Sequence, residues 1–461
     1  MSEERTTVTN SDRDRLHADH LPPVLPIRPF SKPVTGRVRV PGSKSITNRA
    51  LILSALSRGR TVIHNPLFSE DTRIMMDALR VLGFELKTDQ PGSAIEITGN
   101  AGRVPTNGAT LDIGNSGTSA RFLTAFCCLA ESGTFKIDGV EQMRHRPISG
   151  LVDALKAAGA QIEMAPTGGF PLEIRSCGLR GGQVWVDATG SSQALSALLM
   201  VAPCARTGLQ IHLSDTRVRR PYVDMTLAMM REFGIPSQAI STSEDAFLVR
   251  PGVTYSLDTD TYAVESDASA ASYFLALPAA VGGDLQIEDL KLNGLQGDAS
   301  FARIIRDLGC EMNEPADGVR IARSRTDSPL SGVTFDFFQI SDTFLTLAAL
   351  APLLQGSTTI TGIAHTRKQE TDRVSAVATE LRKLGQEVVE SEDALTIHPR
   401  PLREATVDTY DDHRIAMSFS ILGCHDLHGD GRAWMAIRNP STCAKTFPSF
   451  FQKLEDLRQE S

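Results

Sequence analysis

Five stretches of the chain repeat one arrangement of apolar and polar residues. In each, apolar residues recur three or four positions apart, as on one face of a helix, and a glycine closes the stretch. The closing glycines lie about 75 residues apart and are Gly83, Gly159, Gly234, Gly309 and Gly385. A glycine just past a helix end supplies the left-handed residue of a C-cap, so local structure explains each one alone. The constant spacing predicts an internal repeat.

Each repeat has room for two helices and several strands. Short runs between the helices predict strands at 94–98, 183–186 and 358–360. An unfinished sixth copy is predicted at 450–457, and a helix at 267–280 begins a new set of repeats after a boundary near 262–265. We therefore expect an α/β (α+β) chain with three repeats in each of two domains. The mixed polar residues at 1–24 predict a flexible tail.

Composition limits the functional classes. The 461 residues are 41% hydrophobic and 22% charged, which is typical of a soluble protein of two or three domains. A formal net charge of −8 argues against nucleic-acid binding, and no apolar run is long enough to span a membrane. The seven cysteines form no CxxC pair, which predicts reduced thiols, no structural zinc and a cytoplasmic location. Without a heptad or a long apolar stripe, we expect a monomer.

One segment near the N-terminus has the features of an anion site. Residues 41–49 read Pro-Gly-Ser-Lys-Ser-Ile-Thr-Asn-Arg and lead into a predicted helix. The free N–H groups of a helix start attract phosphates and carboxylates, and Lys44 and Arg49 add full charges. The alternative is a solvated basic turn. A nucleotide P-loop is disfavoured because its Gly-Lys-Ser/Thr ending is missing.

Similar segments stand before other predicted helices. They are Gly114-Asn-Ser-Gly-Thr118, Arg144-His-Arg-Pro-Ile148, Ser191-Ser-Gln193, Arg367-Lys-Gln-Glu-Thr-Asp-Arg373, Asp411-Asp-His-Arg414 and Lys445-Thr-Phe-Pro448. Taken singly, each is explained by helix capping or by a solvated charged face. Thr371 is the expected cap of the helix that begins near Arg373, a position where arginine is disfavoured unless an anion is present.

In order and spacing, seven motifs resemble the 5-enolpyruvylshikimate-3-phosphate synthase family. They are Pro41-Gly-Ser-Lys-Ser-x-x-Asn-Arg49, Gly114-Asn-Ser-Gly-Thr118, Arg146-Pro-Ile148, Ser191-Ser-Gln193, Glu370-Thr-Asp-Arg373, Asp412-His-Arg414 and Lys445-Thr-Phe-Pro448. The resemblance runs from about residue 33 to residue 457. It implies two domains of three βαβαββ units each, with helices inside, sheets outside and an interdomain cleft. The domains are then 43–263, and 25–42 together with 264–461.

The resemblance also implies a reaction. The enolpyruvyl group of phosphoenolpyruvate moves to the 5-hydroxyl group of shikimate 3-phosphate, and phosphate leaves. No metal and no organic cofactor are implied. Each substrate carries a phosphate and a carboxylate, so several cations and oriented N–H groups must converge on them. Addition and elimination at the enol carbons require groups that exchange protons with the substrates, and carboxylates beside lysines can do so.

Site residues are carried over by motif. The resemblance implies that the catalytic residues are Asp342, Glu370, Lys44 and Lys445. Shikimate 3-phosphate is expected to contact Lys44, Ser45, Arg49, Ser191, Ser192, Gln193, Arg219, Asp342, His365 and Gln369. Phosphoenolpyruvate is expected to contact Lys44, Asn115, Gly117, Arg146, Gln193, Arg373, Arg414 and Lys445. Without the resemblance, Asp342 is interpreted as a helix cap and His413 as a structural histidine.

The chain departs from the family pattern at a few positions. Gln369 replaces a common lysine, Arg219 replaces a common serine, His365 replaces an asparagine and Phe122 replaces a common proline. We hypothesise a charge swap, in which Arg219 returns the cation lost at Gln369. These departures leave sensitivity to glyphosate open.

Two alternatives remain at this stage. The related enolpyruvyl transferase that acts on UDP-N-acetylglucosamine usually carries a cysteine ahead of its Arg-Pro segment, and residues 140–146 contain none. A phosphosugar-binding protein without turnover is the second alternative, motivated by Gln369 and His365. The retained proton-transfer residues oppose it, namely Lys44, Asp342, Glu370 and Lys445.

Overall fold

The computed structural model describes residues 16–189, 191–324 and 329–461. Within these ranges the helices are α1 (Lys44–Leu56), α2 (Glu70–Val81), α3 (Gly117–Cys127), α4 (Glu141–Arg144), α5 (Ser149–Ala157), α6 (Ser192–Val201), α7 (Arg220–Glu232), α8 (Ala268–Val281), α9 (Phe301–Asp307), α10 (Phe344–Leu350), α11 (Arg373–Lys383), α12 (His413–Gly423) and α13 (Phe450–Glu460). Two 3-10 helices that matter below are Ala18–His20 and Pro440–Lys445. In this part of the chain, no helix has the length and apolarity needed to cross a membrane.

Short strands alternate with the helices. They are β1 (Val24–Ile27), β2 (Val34–Val38), β3 (Arg58–His64), β4 (Leu86–Asp89), β5 (Ala94–Asn100), β6 (Gly108–Asp112), β7 (Gly133–Asp138), β8 (Gln161–Met164), β9 (Leu172–Ser176), β10 (Gly182–Val186), β11 (Leu209–Leu213), β12 (Ile240–Thr242), β13 (Ala246–Val249), β14 (Thr261–Ala263), β15 (Gly283–Glu288), β16 (Glu311–Asn313), β17 (Gly318–Arg323), β18 (Thr334–Asp336), β19 (Thr358–Thr361), β20 (Glu387–Glu390), β21 (Ala394–His398), β22 (Ala405–Asp408) and β23 (Met435–Arg438).

The chain divides into two compact units, each with its own hydrophobic core. Unit 1 contains the described residues up to Val40, Ser266–Asn293 and Asp298–Ser461, and unit 2 contains Pro41–Glu265 and Gly294–Gly297. One core cluster runs from Ile46 to Val264 and the other from Ala18 to Leu457.

Unit 2 contains three four-stranded sheets in the described residues, with the strand orders β14-β3-β5-β4, β6-β7-β9-β8 and β10-β11-β13-β12. In each sheet the first two strands are parallel and the later pairs are antiparallel. The second and third sheets follow the chain as strand, helix, strand, helix, strand, strand. The first sheet takes its outer parallel strand, β14, from the far end of the unit.

Unit 1 repeats the same plan. Its sheets have the orders β16-β17-β15-β2, β18-β19-β21-β20 and β1-β23-β22. Each again contains one parallel pair, namely β2 with β15, β18 with β19 and β22 with β23. In the three-stranded sheet, β1 pairs antiparallel with β23. The predicted βαβαββ repeat is therefore confirmed, with one copy closed by the N-terminal strand.

Burial places helices inside and sheets outside within each unit. Helix α1 is buried from Ile46 to Leu56, and α12 is buried along its whole length. Strands such as β9 and β11 alternate between buried and more exposed positions, so one face of each lies toward the helices. The starts of α1, α3, α6 and α12, which carry four of the motifs, consequently belong to helices that are buried over most of their length.

The predicted helix ends are also confirmed. The five repeat glycines all have positive φ, from 87° at Gly234 to 118° at Gly309, and each follows a helix. Glycine adopts this conformation without the steric cost that a Cβ brings. The predicted strands appear as β5, β10 and β19, and the predicted helix at 267–280 is α8, capped by the Asp267 side chain.

The predicted flexible tail differs from the structure at its end. Residues 1–15 lie outside the described residues. Beyond them, Ala18 is 2% exposed and its N–H donates to the carbonyl oxygen of Pro448 at 2.9 Å. Leu16 and Leu21 pack against the unit 1 core, and β1 begins at Val24. Leu16, Ala18 and Leu21 are enough to pack this part of the predicted tail against the core. Its mostly polar composition therefore did not indicate that it packs.

Candidate active site

The start of α1 presents Lys44 at a capped helix end. The Ser43 side chain caps the helix by accepting from the N–H of Ile46. Lys44 is the first helical residue, and its Nζ lies 3.4 Å from Oδ2 of the buried Asp71. A Cβ added at Gly42 would lie 1.9 Å from the carbonyl oxygen of Asn65, so only glycine fits the turn that leads to Lys44. The segment thus places a lysine at the positive end of a helix dipole.

Arg49 lies one turn further along α1 and is wholly buried. Its guanidinium donates to Thr226 Oγ1 at 2.8 Å, to Ser196 Oγ at 3.0 Å and to the Ser45 carbonyl oxygen at 3.0 Å. It also lies 5.3 Å from the centre of the Phe122 ring. Burial lowers the pKa of Arg49 to about 10. This arginine therefore joins α1, α3, α6 and α7 at one point.

The start of α3 brings together three predicted phosphoenolpyruvate contacts. A Cβ added at Gly117 would lie 2.7 Å from the Arg146 Nη2, so the missing side chain makes room for that guanidinium. Asn115 Nδ2 donates to Gln142 Oε1 at 3.0 Å. Ser116 caps α3 by accepting from the N–H of Ser119. A cationic group and a helix N-terminus therefore adjoin each other here.

The start of α6 lies beside the start of α3. Ser191 caps α6 by accepting from the N–H of Gln193 at 3.3 Å. The Gln193 side-chain amide donates to Thr118 Oγ1, also at 3.3 Å. Arg219, which precedes α7, is 6% exposed, and its guanidinium carbon lies 5.9 Å from the centre of the Tyr222 ring. Unit 2 thus gathers polar and cationic groups at the starts of α1, α3, α6 and α7.

In unit 1, Arg373 is the centre of a cluster of carboxylates. Its guanidinium lies 2.6 Å from Asp412 Oδ2, 2.8 Å from Glu370 Oε2 and 3.2 Å from Asp342 Oδ1. It also donates to the side-chain oxygen of Gln369. Burial alone would lower the pKa of Arg373, but the three negative charges outweigh burial and raise it well above its usual value. Arg373, which is predicted to bind phosphoenolpyruvate, is consequently held in place by its neighbours and permanently charged.

Arg414 shares a carboxylate with Arg373. Its Nη2 lies 2.8 Å from Asp342 Oδ2, and its Nη1 donates to the hydroxyl oxygen of Tyr273 at 3.4 Å. The interpretation of Asp342 as a helix cap is wrong, because Thr343 occupies the N-cap position of α10 and Asp342 turns to the two arginines. The attraction of two buried guanidinium groups explains the difference.

Lys445 and Glu370 form a second ion pair beside this cluster. The Lys445 Nζ lies 3.1 Å from Glu370 Oε1, and each side chain is only 8% exposed. Since the other Glu370 oxygen contacts Arg373, this carboxylate bridges two cations. The lysine and the arginine favour the ionised form of this carboxylate and hold it in place, and a bound anion that offsets these cations would let it exchange a proton.

The replaced positions Gln369 and His365 lie in the same unit. The His365 Nε2 is 2.7 Å from Ser341 Oγ, and the His365 ring meets the Phe338 ring at an edge. Gln369 faces Arg373 with its oxygen, a contact that a lysine side chain has no acceptor to make. The structure therefore gives each replaced side chain a specific neighbour.

Sequence reasoning missed or misplaced three features of this region. The motif at 412–414 predicts no role for Asp412, yet its side chain caps α12 and contacts Arg373. The cap of α11 is Asp372 and not Thr371, since its carboxylate accepts from the N–H of Ser375. Glu380 is fully buried and accepts from the Tyr410 hydroxyl. Its spacing of three from Val377, on the apolar face of α11, was a signal of a buried carboxylate that needs partners.

Comparison with known proteins gives matches over nearly the whole chain. A sequence model described as EPSP synthase (3-phosphoshikimate 1-carboxyvinyltransferase) matches residues 30–454. The chain is 50% identical over 446 residues to the 3-phosphoshikimate 1-carboxyvinyltransferase of Opitutus terrae, a match that covers 96% of this chain and 99% of that protein. The protein of the same name from a Sulfurovum species is 41% identical over 427 residues, covering 92% and 97%.

Solved structures also match over most of the chain, at lower sequence identity. The EPSP synthase of Acinetobacter baumannii superimposes with a TM-score of 0.76 at 26% identity, covering 94% of this chain and 98% of that one. An enolpyruvyl transferase of Streptomyces tendae, at 16% identity, shares the fold with a TM-score of 0.72 and covers 94% and 97%.

Proposed function

The chain belongs to the EPSP synthase family, and from this premise we propose that it transfers the enolpyruvyl group of phosphoenolpyruvate to the 5-hydroxyl group of shikimate 3-phosphate, in aromatic amino acid biosynthesis. The observation that carries the proposal is Glu370, which lies between Lys445 and Arg373 at contact distance from both. This is an arrangement for moving protons beside bound anions. Binding alone needs cations but no bridging carboxylate.

Phosphoenolpyruvate is assigned to the most cationic residues. Arg373, Arg414 and Lys445 of unit 1 meet its phosphate and carboxylate groups. Its other proposed contacts are Lys44, Asn115, Gly117, Arg146 and Gln193. Buried guanidinium groups suit this task, because they stay charged and match the geometry of phosphate and carboxylate oxygens.

Shikimate 3-phosphate is assigned to hydroxyl and amide groups together with fewer cations. Its contacts are Lys44, Ser45, Arg49, Ser191, Ser192, Gln193, Arg219, Asp342, His365 and Gln369. The serines at the start of α6 offer hydroxyl and N–H donors to a phosphate. Asp342 accepts a hydrogen bond from the 5-hydroxyl group, which is the group that reacts.

The reaction proceeds by addition and elimination through a tetrahedral intermediate. In the addition, the 5-oxygen bonds to C2 of phosphoenolpyruvate, Asp342 takes the hydroxyl proton, and Glu370 gives a proton to C3, which becomes a methyl group. In the elimination, the bond from C2 to the phosphate oxygen breaks, and the methyl group returns a proton to Glu370. The phosphate leaves with the proton that Asp342 took from the hydroxyl group, so both carboxylates return to their starting state. Lys44 and Lys445 stabilise the negative charge on the departing phosphate.

The direct test is phosphate release from the purified protein with both substrates. We expect release only when both are present, and a loss of at least about a hundredfold in the Glu370→Gln variant, within the range known for proton-transfer groups. The Glu392→Gln variant, at a side chain that is 86% exposed, is the matched control and should retain full activity. Full activity of Glu370→Gln would refute its role. Binding of shikimate 3-phosphate without turnover would instead favour a phosphosugar-binding protein.

The charge swap between Gln369 and Arg219 is a second, separable proposal. Compared with the common family pattern, Gln369 removes one positive charge and Arg219 adds one. Arg219 is only 6% exposed. Arg219→Ala should weaken binding of shikimate 3-phosphate by about 10–100-fold and binding of phosphoenolpyruvate far less, as lost charge-assisted hydrogen bonds of about 1.5–3 kcal/mol require. The neighbour variant Arg220→Ala, at a side chain that is 39% exposed, is the control. Equal effects on both substrates would contradict the swap.

We also propose a cytoplasmic monomer. None of the seven cysteines, which all lie within the described residues, forms a disulfide bond, as expected in a reducing compartment. Large exposed apolar side chains, such as Trp185, Val389 and Val81, are distributed over different elements. Light scattering during size-exclusion chromatography measures the mass in solution, and a dimer mass would correct this part of the proposal. Cell fractionation tests the location.

A further inference from the structure

Three residues other than glycine adopt left-handed backbone conformations beside the Arg373 cluster. They are Tyr410 with φ 52°, Asp411 with φ 56° and Asn439 with φ 53°. Such conformations cost free energy in L-residues and persist only where surrounding contacts determine them. Tyr410 and Asp411 immediately precede Asp412, and Asn439 immediately precedes the 3-10 helix that ends at Lys445. Two of the left-handed residues therefore precede Asp412, which contacts Arg373. The third precedes the 3-10 helix that contains Lys445.

The turn at 409–412 is fixed from one side by α11. The Tyr410 hydroxyl donates to Glu380 Oε1 at 2.7 Å, and the N–H of Asp412 donates to the carbonyl oxygen of Thr409 at 2.8 Å. At the end of this turn, the Asp412 carboxylate contacts Arg373. The conformation of this turn, which we call the Asp412 turn, therefore determines where the Asp412 carboxylate lies relative to Arg373.

Asn439 connects the 409–412 turn to the 3-10 helix Pro440–Lys445, which we call the Lys445 turn. Its Nδ2 donates to Asp411 Oδ1 at 2.8 Å, and its carbonyl oxygen accepts from Thr409 Oγ1 at 3.4 Å. Its Oδ1 accepts from Ser441 Oγ at 2.9 Å, inside the 3-10 helix Pro440–Lys445. One side chain thus bonds to both turns with its two polar atoms.

We propose that Asn439 is a positioning residue that fixes the Asp412 turn to the Lys445 turn and thereby sets the spacing between Arg373 and Lys445. The inference rests on the proposed function, in which both cations meet phosphoenolpyruvate. A ligand with two anionic groups needs its cations at a fixed separation, and displacements near 1 Å can cost about a hundredfold in rate. Asn439 contributes this spacing without contacting the ligand.

Reversal of the hydrogen bond tests the proposal. Asn439→Asp sets a carboxylate against Asp411 and should raise the KM for phosphoenolpyruvate about tenfold, with binding of shikimate 3-phosphate changed less than about twofold. Asp411→Asn keeps an acceptor oxygen and tolerates the left-handed conformation, so its KM should stay near the wild-type value. In the double variant, the amide introduced at position 411 donates to the carboxylate introduced at position 439. The bond is then restored in the opposite direction, and most of the lost affinity should return.

Asp289→Ala is the matched control for backbone strain. Asp289 has φ 57° and lies elsewhere in unit 1, with its carboxylate beside Arg39. This variant should lower the melting temperature without changing either KM. A loss of melting temperature in Asn439→Asp with both KM values unchanged, or failure of the double variant to recover, would overturn the proposal.

Hydrogen exchange separates this inference from the proposed function. Asn439→Asp should speed amide exchange in both 409–412 and 440–445, and the double variant should restore protection. If the wild-type protein shows no turnover while exchange still responds in this coupled way, the reaction is wrong and the connection between the turns stands. If the wild type turns over and exchange changes in one turn only, the connection is wrong and the reaction stands.

Discussion

Replacing Asp412 by asparagine removes one charge from the centre of the unit 1 cluster and little else. The Asp412 side chain is fully buried, lies 2.6 Å from Arg373 Nε, and accepts from the N–H of Arg414 at 2.8 Å as the cap of α12. Asparagine has the same shape and keeps an oxygen for the cap. The variant therefore isolates the charge interaction with Arg373.

The expected destabilisation is about 3 kcal/mol. Removing one partner of a buried ion pair typically costs about 3–5 kcal/mol, because the other charge remains in a poorly solvated site. Arg373 keeps Glu370 at 2.8 Å and Asp342 at 3.2 Å, so the lower end of that range applies. A Coulomb attraction of about 4 kcal/mol, for unit charges 4 Å apart at an effective dielectric constant of 20, has the same size.

Urea unfolding measured by tryptophan fluorescence can report on unit 1 by itself. The chain has two tryptophans, the exposed Trp185 in unit 2 and the buried Trp434 in unit 1. In a Trp185→Phe background, the signal comes from Trp434. Asp307→Asn, which alters an exposed ion pair with Arg306, is the control and should cost less than about 1 kcal/mol. A loss below about 1 kcal/mol in Asp412→Asn would refute the reasoning, because the two remaining carboxylates would then suffice.

Two further predictions concern single side chains. Burial, followed by the charges of Asp342 and Asp267 against that of Arg414, raises the pKa of Asp298 to about 7. Because this folded-state pKa lies above the unfolded value of about 3.9, the stability contribution is complete below about pH 4 and is lost as the pH rises through 7, a change on the order of 4 kcal/mol. Asp298→Asn should flatten the dependence of the melting temperature on pH between about pH 4 and 7, and an unchanged slope would contradict the assignment. Arg49→Lys cannot keep the bonds to Ser196 and Thr226 together, and calorimetry should show binding of shikimate 3-phosphate weakened about tenfold or more; unchanged affinity would contradict the role of Arg49.

The repeats could be predicted because their signals are local. A helix face, a closing glycine and the strand that follows all lie within about twenty residues, and Gly83 and Gly385 show the expected left-handed conformation. The helix starts were equally readable, since Ser43, Ser116 and Ser191 cap α1, α3 and α6 with their own side chains. Each of these features depends on neighbouring residues, which the sequence displays directly.

The ion pairs of unit 1 could not be predicted because their members are distant in sequence. Arg373 contacts Asp342 and Asp412, which are 31 and 39 positions away. Composition shows that carboxylates are available but not which of them a buried arginine selects. The same reason explains the wrong interpretation of Asp342 as a cap, since its carboxylate pairs with Arg373. The other capping assignment was wrong by one residue, because the neighbouring Asp372 and not Thr371 is the cap.

The cluster around Arg373 also has a consequence for the thermodynamics of ligand binding. Its cations Arg373, Arg414 and Lys445 balance its carboxylates Asp342, Glu370 and Asp412, so these six side chains have no net formal charge. An arriving polyanion must therefore either displace a carboxylate from its arginine or bring a proton with it. If a proton accompanies the ligand, affinity falls as the pH rises and the observed heat depends on the ionisation enthalpy of the buffer, whereas an exchange of partners alone depends on neither.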